Sequence, residues 1–230
     1  MITHQLWSDD LWPLLLQIYM RKPTGIKPIF SHDMVELALE LHIPPRELYA
    51  AMFELRRTDI PHIAALWSAY GNNTKKLNRA AARVRRMRAF CTGGAFFDGV
   101  ETSETFERDF RPIDGCPMLT PVMLILILDL FFRLTPATMV TETPEIKSLA
   151  KMLGLRPEMV VRVMEAFCVC DPYLKREAGG DSLMEDRCQE VWNRYGNNNP
   201  EELAATASQL AEYFKTAKSK TSKSKVKRSK

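Results

Sequence analysis

Several features are scarce or missing in this sequence, and each absence excludes a class of protein. Five cysteines in 230 residues are few, and odd in number, for a secreted domain held by disulfides. The longest uninterrupted apolar run covers residues 122–128, whereas a membrane span needs about 20 apolar residues. We therefore expect a cytoplasmic protein without a membrane span, and we interpret the apolar segment 118–134 as a buried helix.

Catalytic and metal-binding motifs are also missing. The four histidines are isolated from one another and from cysteine or carboxylate partners at metal-ligand spacing. The glycine pair Gly93-Gly94 is too short for a loop that cradles phosphate and does not follow a strand. We predict no enzymatic activity, no metal and no cofactor.

Charge is unevenly distributed along the chain, although the net charge is only +4. Seven basic residues and no acidic residue lie between Lys75 and Arg88, and eight more basic residues without an acidic one lie between Lys215 and Lys230. The rest of the chain carries 17 basic and 28 acidic residues. Concentrated basic charge attracts polyanions, because binding to phosphates releases condensed counterions.

Helix signals recur along the chain, while the apolar–polar alternation typical of strands is nearly absent. A capping side chain precedes a proline at Thr120-Pro121, Thr143-Pro144 and Asn199-Pro200. We predict an all-α fold.

An internal repeat is the most informative pattern. Residues 37–59 match residues 149–171 with a constant shift of 112, and residues 66–73 match 191–198 with a shift of 125. Two blocks that match in the same order predict a tandem duplication of a unit of four to five helices. The first block pairs Leu37/Leu149, Ala38/Ala150, Leu41/Leu153, Ile43/Leu155, Pro45/Pro157, Leu48/Val160, Met52/Met164, Leu55/Phe167 and Asp59/Asp171.

The repeat predicts the domain boundaries. The first unit covers residues 1–90, a linker containing glycine and proline covers 91–117, the second unit covers 118–214, and a disordered basic tail covers 215–230. We expect the two units to pair tightly, because the apolar helix near 122–134 needs more cover than one small unit offers. The sequence leaves open whether the protein is also a homodimer.

The matched block carries a motif. Ala150 allows two short helices to approach, Gly154 makes the turn, and Val160 and Val163 hold the second helix on the first. This pattern resembles the helix-turn-helix class of DNA-binding proteins over about 20 residues in each copy. The first copy has His42 in place of the turn glycine, a residue that tolerates positive φ better than most.

The resemblance implies that the second helix of each pair presents its N-terminal outward residues to the major groove. In the first copy these include Arg46 and Tyr49, and in the second Arg156 and Arg162. The basic segment adds residues for phosphate contact. The candidate nucleic-acid-binding residues are Arg46, Tyr49, Arg56, Arg57, Lys75, Lys76, Arg79, Arg83, Arg86, Arg156 and Arg162.

The sequence thus predicts a non-enzymatic nucleic-acid-binding protein in a regulatory or replication-associated role, with DNA favoured over RNA. The alternative is a helical interaction module or scaffold that binds an acidic protein and uses its helix-turn-helix units for packing. The basic helix could also dock on the chain's own acidic residues, and the tail could simply aid solubility. The acidic residues concerned are Glu101, Glu104, Glu107 and Asp109.

Overall fold

The computed structural model describes residues 5–91, 105–174 and 182–228; for residues 88–91, 105, 182 and 217–228 it describes the backbone alone. The described residues form helices and turns without a strand, so the fold is all-α. The chain divides into two compact units, which comprise Met1–Glu104 and Thr105–Lys230. The beginning of the expected linker, residues 92–104, lies outside the described residues.

Unit 1 contains five α-helices and a one-turn 3-10 helix, Asp9–Leu11. Its core is formed by apolar side chains from every helix, with Leu14, Leu41, Leu48 and Ile63 fully buried. Helix α1 packs against both α3 and α5 and so lies at the centre of the unit. The helices are α1 (Trp12–Tyr19), α2 (His32–Leu41), α3 (Pro45–Glu54), α4 (Pro61–Tyr70) and α5 (Thr74–Cys91).

Unit 2 contains six α-helices and a second one-turn 3-10 helix, Pro136–Thr138. Helix α6 and the residues after it belong to this unit. The helices are α6 (Thr105–Phe110), α7 (Pro121–Arg133), α8 (Pro144–Leu153), α9 (Pro157–Cys170), α10 (Ser182–Tyr195) and α11 (Pro200–Arg228).

Proline and a capping side chain begin several helices, as the sequence predicts. Prolines 121, 144 and 200 each occupy the first helical position, where the missing N–H has no helical partner to lose. The Asn199 side chain accepts a hydrogen bond from the backbone N–H of Glu201 at 2.9 Å. In the same way, Asn73 accepts from the backbone N–H of Lys76 at 2.9 Å at the start of α5.

Helix α7 is the centre of unit 2. It packs against α6, α8, α9, α10 and α11, and its apolar side chains from Leu124 to Leu128 are all buried. Phe131 at its end joins Phe167 and Trp192 in an aromatic cluster with ring centroids 6.0–6.5 Å apart. Five helices of its own unit thus cover α7, and the tight pairing of the two units stays a prediction.

The two short turns between paired helices have the same backbone conformation. His42 after α2 has φ 57° and Gly154 after α8 has φ 75°, both in the left-handed region. The next residue closes each turn: the Ile43 N–H donates to the Ala38 carbonyl at 3.1 Å, and the Leu155 N–H donates to the Ala150 carbonyl at 2.9 Å. Both turns fall at positions related by the shift of 112. The duplication itself stays a prediction.

The two tryptophan-bearing helices also end alike. A Cβ added to Gly71 would lie 2.9 Å from the Trp67 ring, and one added to Gly196 would lie 2.6 Å from the Trp192 ring. Each glycine thus leaves room for the indole of the preceding turn. The Trp67 indole N–H donates to the Leu55 carbonyl at 2.7 Å and Trp192 is buried, so both rings serve packing.

Two predicted boundaries differ in the structure. The second half of the expected linker is folded, because the side chains of Glu107 and Ile113 are buried and the Ile113 N–H donates to the Leu119 carbonyl at 2.9 Å. The sequence predicts a disordered tail from residue 215, whereas the backbone of α11 continues as a helix to Arg228. Lysine is a good helix former, and adding a residue to an existing helix costs less than starting one.

Candidate nucleic-acid interface

The most concentrated charge on unit 1 lies along one face of α5. Lys75, Arg79, Arg83 and Arg86 are spaced four, four and three residues apart, so they lie on one side of the helix. All four are exposed. At a rise of 1.5 Å per residue, this basic stripe is about 16 Å long.

The opposite side of α5 holds the helix on the unit. Leu77 and Ala81 are buried, and α5 packs against α1 and α4. Arg85 lies outside the stripe, and its Nε donates to Glu40 of α2 at 2.8 Å. One basic side chain therefore fixes α5 to the unit, while the stripe residues point away from the packed side.

Within the described part of the chain, no carboxylate forms an ion pair with a stripe residue. The Arg86 guanidinium donates to the Ala82 carbonyl of its own helix at 3.4 Å. Lys76, beside the stripe, places its ammonium 5.4 Å from the centre of the Tyr70 ring. Like charges three and four residues apart repel one another, so a bound polyanion would relieve this repulsion as well as supply new contacts.

Two of the acidic residues expected to neutralise α5 are paired elsewhere. The Glu107 carboxylate is buried and accepts from Arg111 at 3.0 Å. Asp109 accepts two hydrogen bonds from Arg194, at 2.7 and 2.8 Å, and this contact raises the pKa of the arginine further above its usual value. Glu101 and Glu104 lie outside the described residues.

A second cationic and aromatic face lies on α3, which the resemblance assigns to base contact. Arg46 and Ala50 are exposed on it, and the Phe53 side chain is 44% exposed. The half-buried Tyr49 ring meets Phe53 edge to face at a centroid distance of 5.1 Å. This face combines an exposed cation with an aromatic surface.

Arg56 and Arg57 follow α3 and both are exposed. Arg57 donates to Asp59 at 3.0 Å, and this hydrogen bond lowers the pKa of the Asp59 carboxyl. Arg57 is therefore partly neutralised by a local partner. Arg56 has no side-chain hydrogen bond or ion pair to another described residue.

The corresponding face in unit 2 is mixed in charge. On α9, Glu158, Arg162 and Glu165 are exposed at positions that share one side of the helix, and Arg156 is exposed just before its first turn. Two carboxylates among two guanidiniums give this face no net attraction for phosphate.

The structure groups the sequence-predicted residues into separate sets. The stripe and Lys76 lie on α5, and Arg46 and Tyr49 lie on α3, with α1 packed against both helices. Arg56 and Arg57 follow α3, and Arg156 and Arg162 belong to unit 2.

Sequence reasoning missed a cleft in unit 1. It has a volume of about 810 Å³ and lies between the residues around the first 3-10 helix, α4 and α5. Lys76, Arg79 and Arg83 line one side, and Asp9 and Asp10 line another. No sequence signal links residues 8–13 with 62–70 and 76–87, because their proximity depends on how three helices pack.

The part of the chain that the structure describes contains no group of three His, Cys, Asp or Glu side chains placed to hold a metal ion. The Cys170 thiol donates to the Ala166 carbonyl at 3.4 Å, and its burial raises its pKa to about 11. At neutral pH this thiol is protonated and a poor nucleophile. Among the described helices, none is both long and apolar enough to cross a membrane.

Comparison of the chain with protein-family models, with curated proteins and with solved structures finds no match. We therefore infer the function from the geometry and the charge of each unit.

Proposed function

We propose that this protein binds nucleic acid, with DNA favoured, and that it does so without catalysing a reaction. The basic stripe of α5 is the observation that carries the proposal. Four exposed cations follow one side of a helix for about 16 Å, and no described carboxylate pairs with them. A row of phosphates is a natural partner for such a surface, because each contact releases condensed counterions.

The stripe supplies affinity and not sequence recognition. Contacts to phosphate position a protein on DNA, whereas contacts to base edges specify the sequence. If all four stripe residues contact phosphates, the logarithm of the binding constant should fall with the logarithm of salt concentration with a slope of about −3.6 from the stripe alone.

Helix α3 offers the residues for base contact. Arg46 is exposed in its first turn, where the second helix of a helix-turn-helix pair reaches the major groove. An arginine there can donate two hydrogen bonds to guanine. The mixed charge of the α9 face favours a smaller part for Arg156 and Arg162.

That same α9 face supports the second candidate function, a helical module that binds protein. Glu158, Arg162 and Glu165 offer both signs of charge at close spacing, which suits a partner surface of complementary charge better than it suits phosphate. Under this alternative, an acidic protein would occupy the stripe of unit 1.

The test compares two charge reversals of equal size in the full-length chain. R79E/R83E reverses the centre of the stripe, and K147E/K151E reverses two exposed lysines of α8 in unit 2. Binding of a labelled DNA duplex is measured by fluorescence anisotropy at two salt concentrations. We expect the stripe variant to lose about a hundredfold in affinity at the lower salt, and the control to lose much less.

Equal losses of DNA affinity in the two variants would show that affinity follows the total charge of the chain. That result would contradict the proposal that the stripe is the binding surface. If the unmodified chain showed no detectable binding to DNA, the proposed DNA-binding function would be excluded. A partner protein that co-purifies with the chain, and is lost on reversal of the stripe, would then favour the scaffold.

A further inference from the structure

The cleft of unit 1 and the basic stripe share residues. Arg79 and Arg83 belong to the stripe, and both also line the cleft together with Lys76. A phosphate held by these side chains therefore lies at the cleft, and the group attached to that phosphate can enter it.

The interior of the cleft suits a flat, partly apolar group. Small side chains line its sides, among them Ala65 and Ala69 of α4 and Ala80 of α5. The exposed His62 ring lines it as well and packs on the buried Trp12 ring, with centroids 5.7 Å apart and planes inclined by 40°. Aromatic rings beside cations are the usual platform for an unpaired base, which stacks on the ring while its phosphate contacts the cation.

Two carboxylates on the far side narrow the choice of ligand. Asp9 accepts a hydrogen bond from the Trp12 indole N–H at 3.2 Å, and Asp10 is exposed beside it. A carboxylate accepts hydrogen bonds from the amino groups that bases carry, so a nucleotide uses both sides of the cleft.

We infer that the cleft holds one unpaired nucleotide of a nucleic-acid strand, with its phosphate on Arg79 and Arg83 and its base between α4 and α5. This inference rests on the proposed function and makes it more specific: the cleft adds affinity for nucleic acid with an unpaired nucleotide, such as a single strand or the opened end of the duplex that α3 contacts. The cleft volume of about 810 Å³ is within the range typical of ligand sites.

The test fills the cleft without changing charge. Ala65 is exposed on α4 and lines the cleft, so A65F narrows it with little risk to the core. A204F is the matched control, because Ala204 is exposed on α11 in unit 2. The probes are a single-stranded DNA of about 16 nucleotides, a duplex of the same length and a free nucleoside monophosphate.

We expect the unmodified chain and A204F to bind the single strand about tenfold more tightly than the duplex, and A65F to lose this preference while it keeps its affinity for the duplex. Equal affinity for strand and duplex in the unmodified chain, or an unchanged preference in A65F, would overturn the inference and leave the stripe proposal intact. Free monophosphate that binds as tightly as the strand would also overturn it, because the cleft would then serve a free nucleotide.

Discussion

Helices α5 and α11 are each the last helix of their unit, but their first turns carry opposite charges. Lys75 and Lys76 are exposed in the first turn of α5, and Glu201 and Glu202 are exposed in the first turn of α11. Acidic residues suit the positive end of the helix dipole, whereas lysines there oppose it. The arrangement in α5 is therefore locally unfavourable, which fits a surface that serves a partner.

Helices α3 and α9 differ in the same way. A shift of 112 relates Arg46 to Glu158 and Phe53 to Glu165, and all four residues are exposed. The same shift relates Leu48 to Val160 and Met52 to Met164, and these four are fully buried. At these related positions the exposed residues differ between the units, whereas the buried residues are apolar in both, because packing restricts the buried positions.

The largest loss of stability is expected for substitutions in the cores of the two units. Phe167 and Leu55 are related by the shift and are both fully buried. We expect F167A to lower the free energy of unfolding by about 3–5 kcal/mol and L55A by about 2–5 kcal/mol, measured by urea unfolding. F132A, at a position that is 39% exposed in the same aromatic cluster, serves as the control and should cost less. A loss below about 1 kcal/mol at either buried position would break the equivalence of the two cores.

An intermediate loss of stability is expected for substitutions of the two glycines that lie four residues after Trp67 and Trp192. G71A and G196A each force a Cβ closer than 3.0 Å to the indole of the preceding turn. We expect each to destabilise the protein by about 1–3 kcal/mol. G196A should cost more, because Trp192 is buried among Phe131, Phe132 and Phe167. Thermal unfolding is the measurement, and S68A on the exposed face of α4 is the control. If one glycine tolerates alanine, the two helix ends are not equivalent.

The smallest loss of stability is expected for substitutions at the two turns with left-handed backbone conformation. Nothing lies within 4 Å of a Cβ added to Gly154, so alanine would meet no steric clash there. G154A should therefore destabilise the protein only through the left-handed backbone conformation, by about 1–2 kcal/mol. G154N should cost less, since asparagine tolerates this conformation. H42G removes the same strain, which offsets part of the freedom that glycine adds to the unfolded chain. A G154A variant as stable as the unmodified protein would contradict the left-handed turn in unit 2.

The sequence predicts those features that depend on local pattern. Pro121, Pro144 and Pro200 mark helix starts because a proline ring fits the first helical position, and Gly154 marks its turn because it readily adopts positive φ. The exposed cations of α5 follow from their spacing opposite Leu77 and Ala81. By contrast, the pairing of Asp109 with Arg194, 85 residues apart, and the cleft beside α5 depend on tertiary packing, which no local pattern specifies. The low complexity of residues 215–230 favours disorder, whereas the helix propensity of lysine favours a helix, so local pattern does not decide where α11 ends.

The salt dependence of DNA binding tests the central claim most directly. The logarithm of the duplex binding constant is measured against the logarithm of salt concentration for the unmodified chain, for R79A/R83A and for the control K147A/K151A. Loss of two phosphate contacts should make the slope of the stripe variant shallower by about 1.8, with the control slope unchanged. A stripe variant with the slope of the unmodified chain would contradict the account.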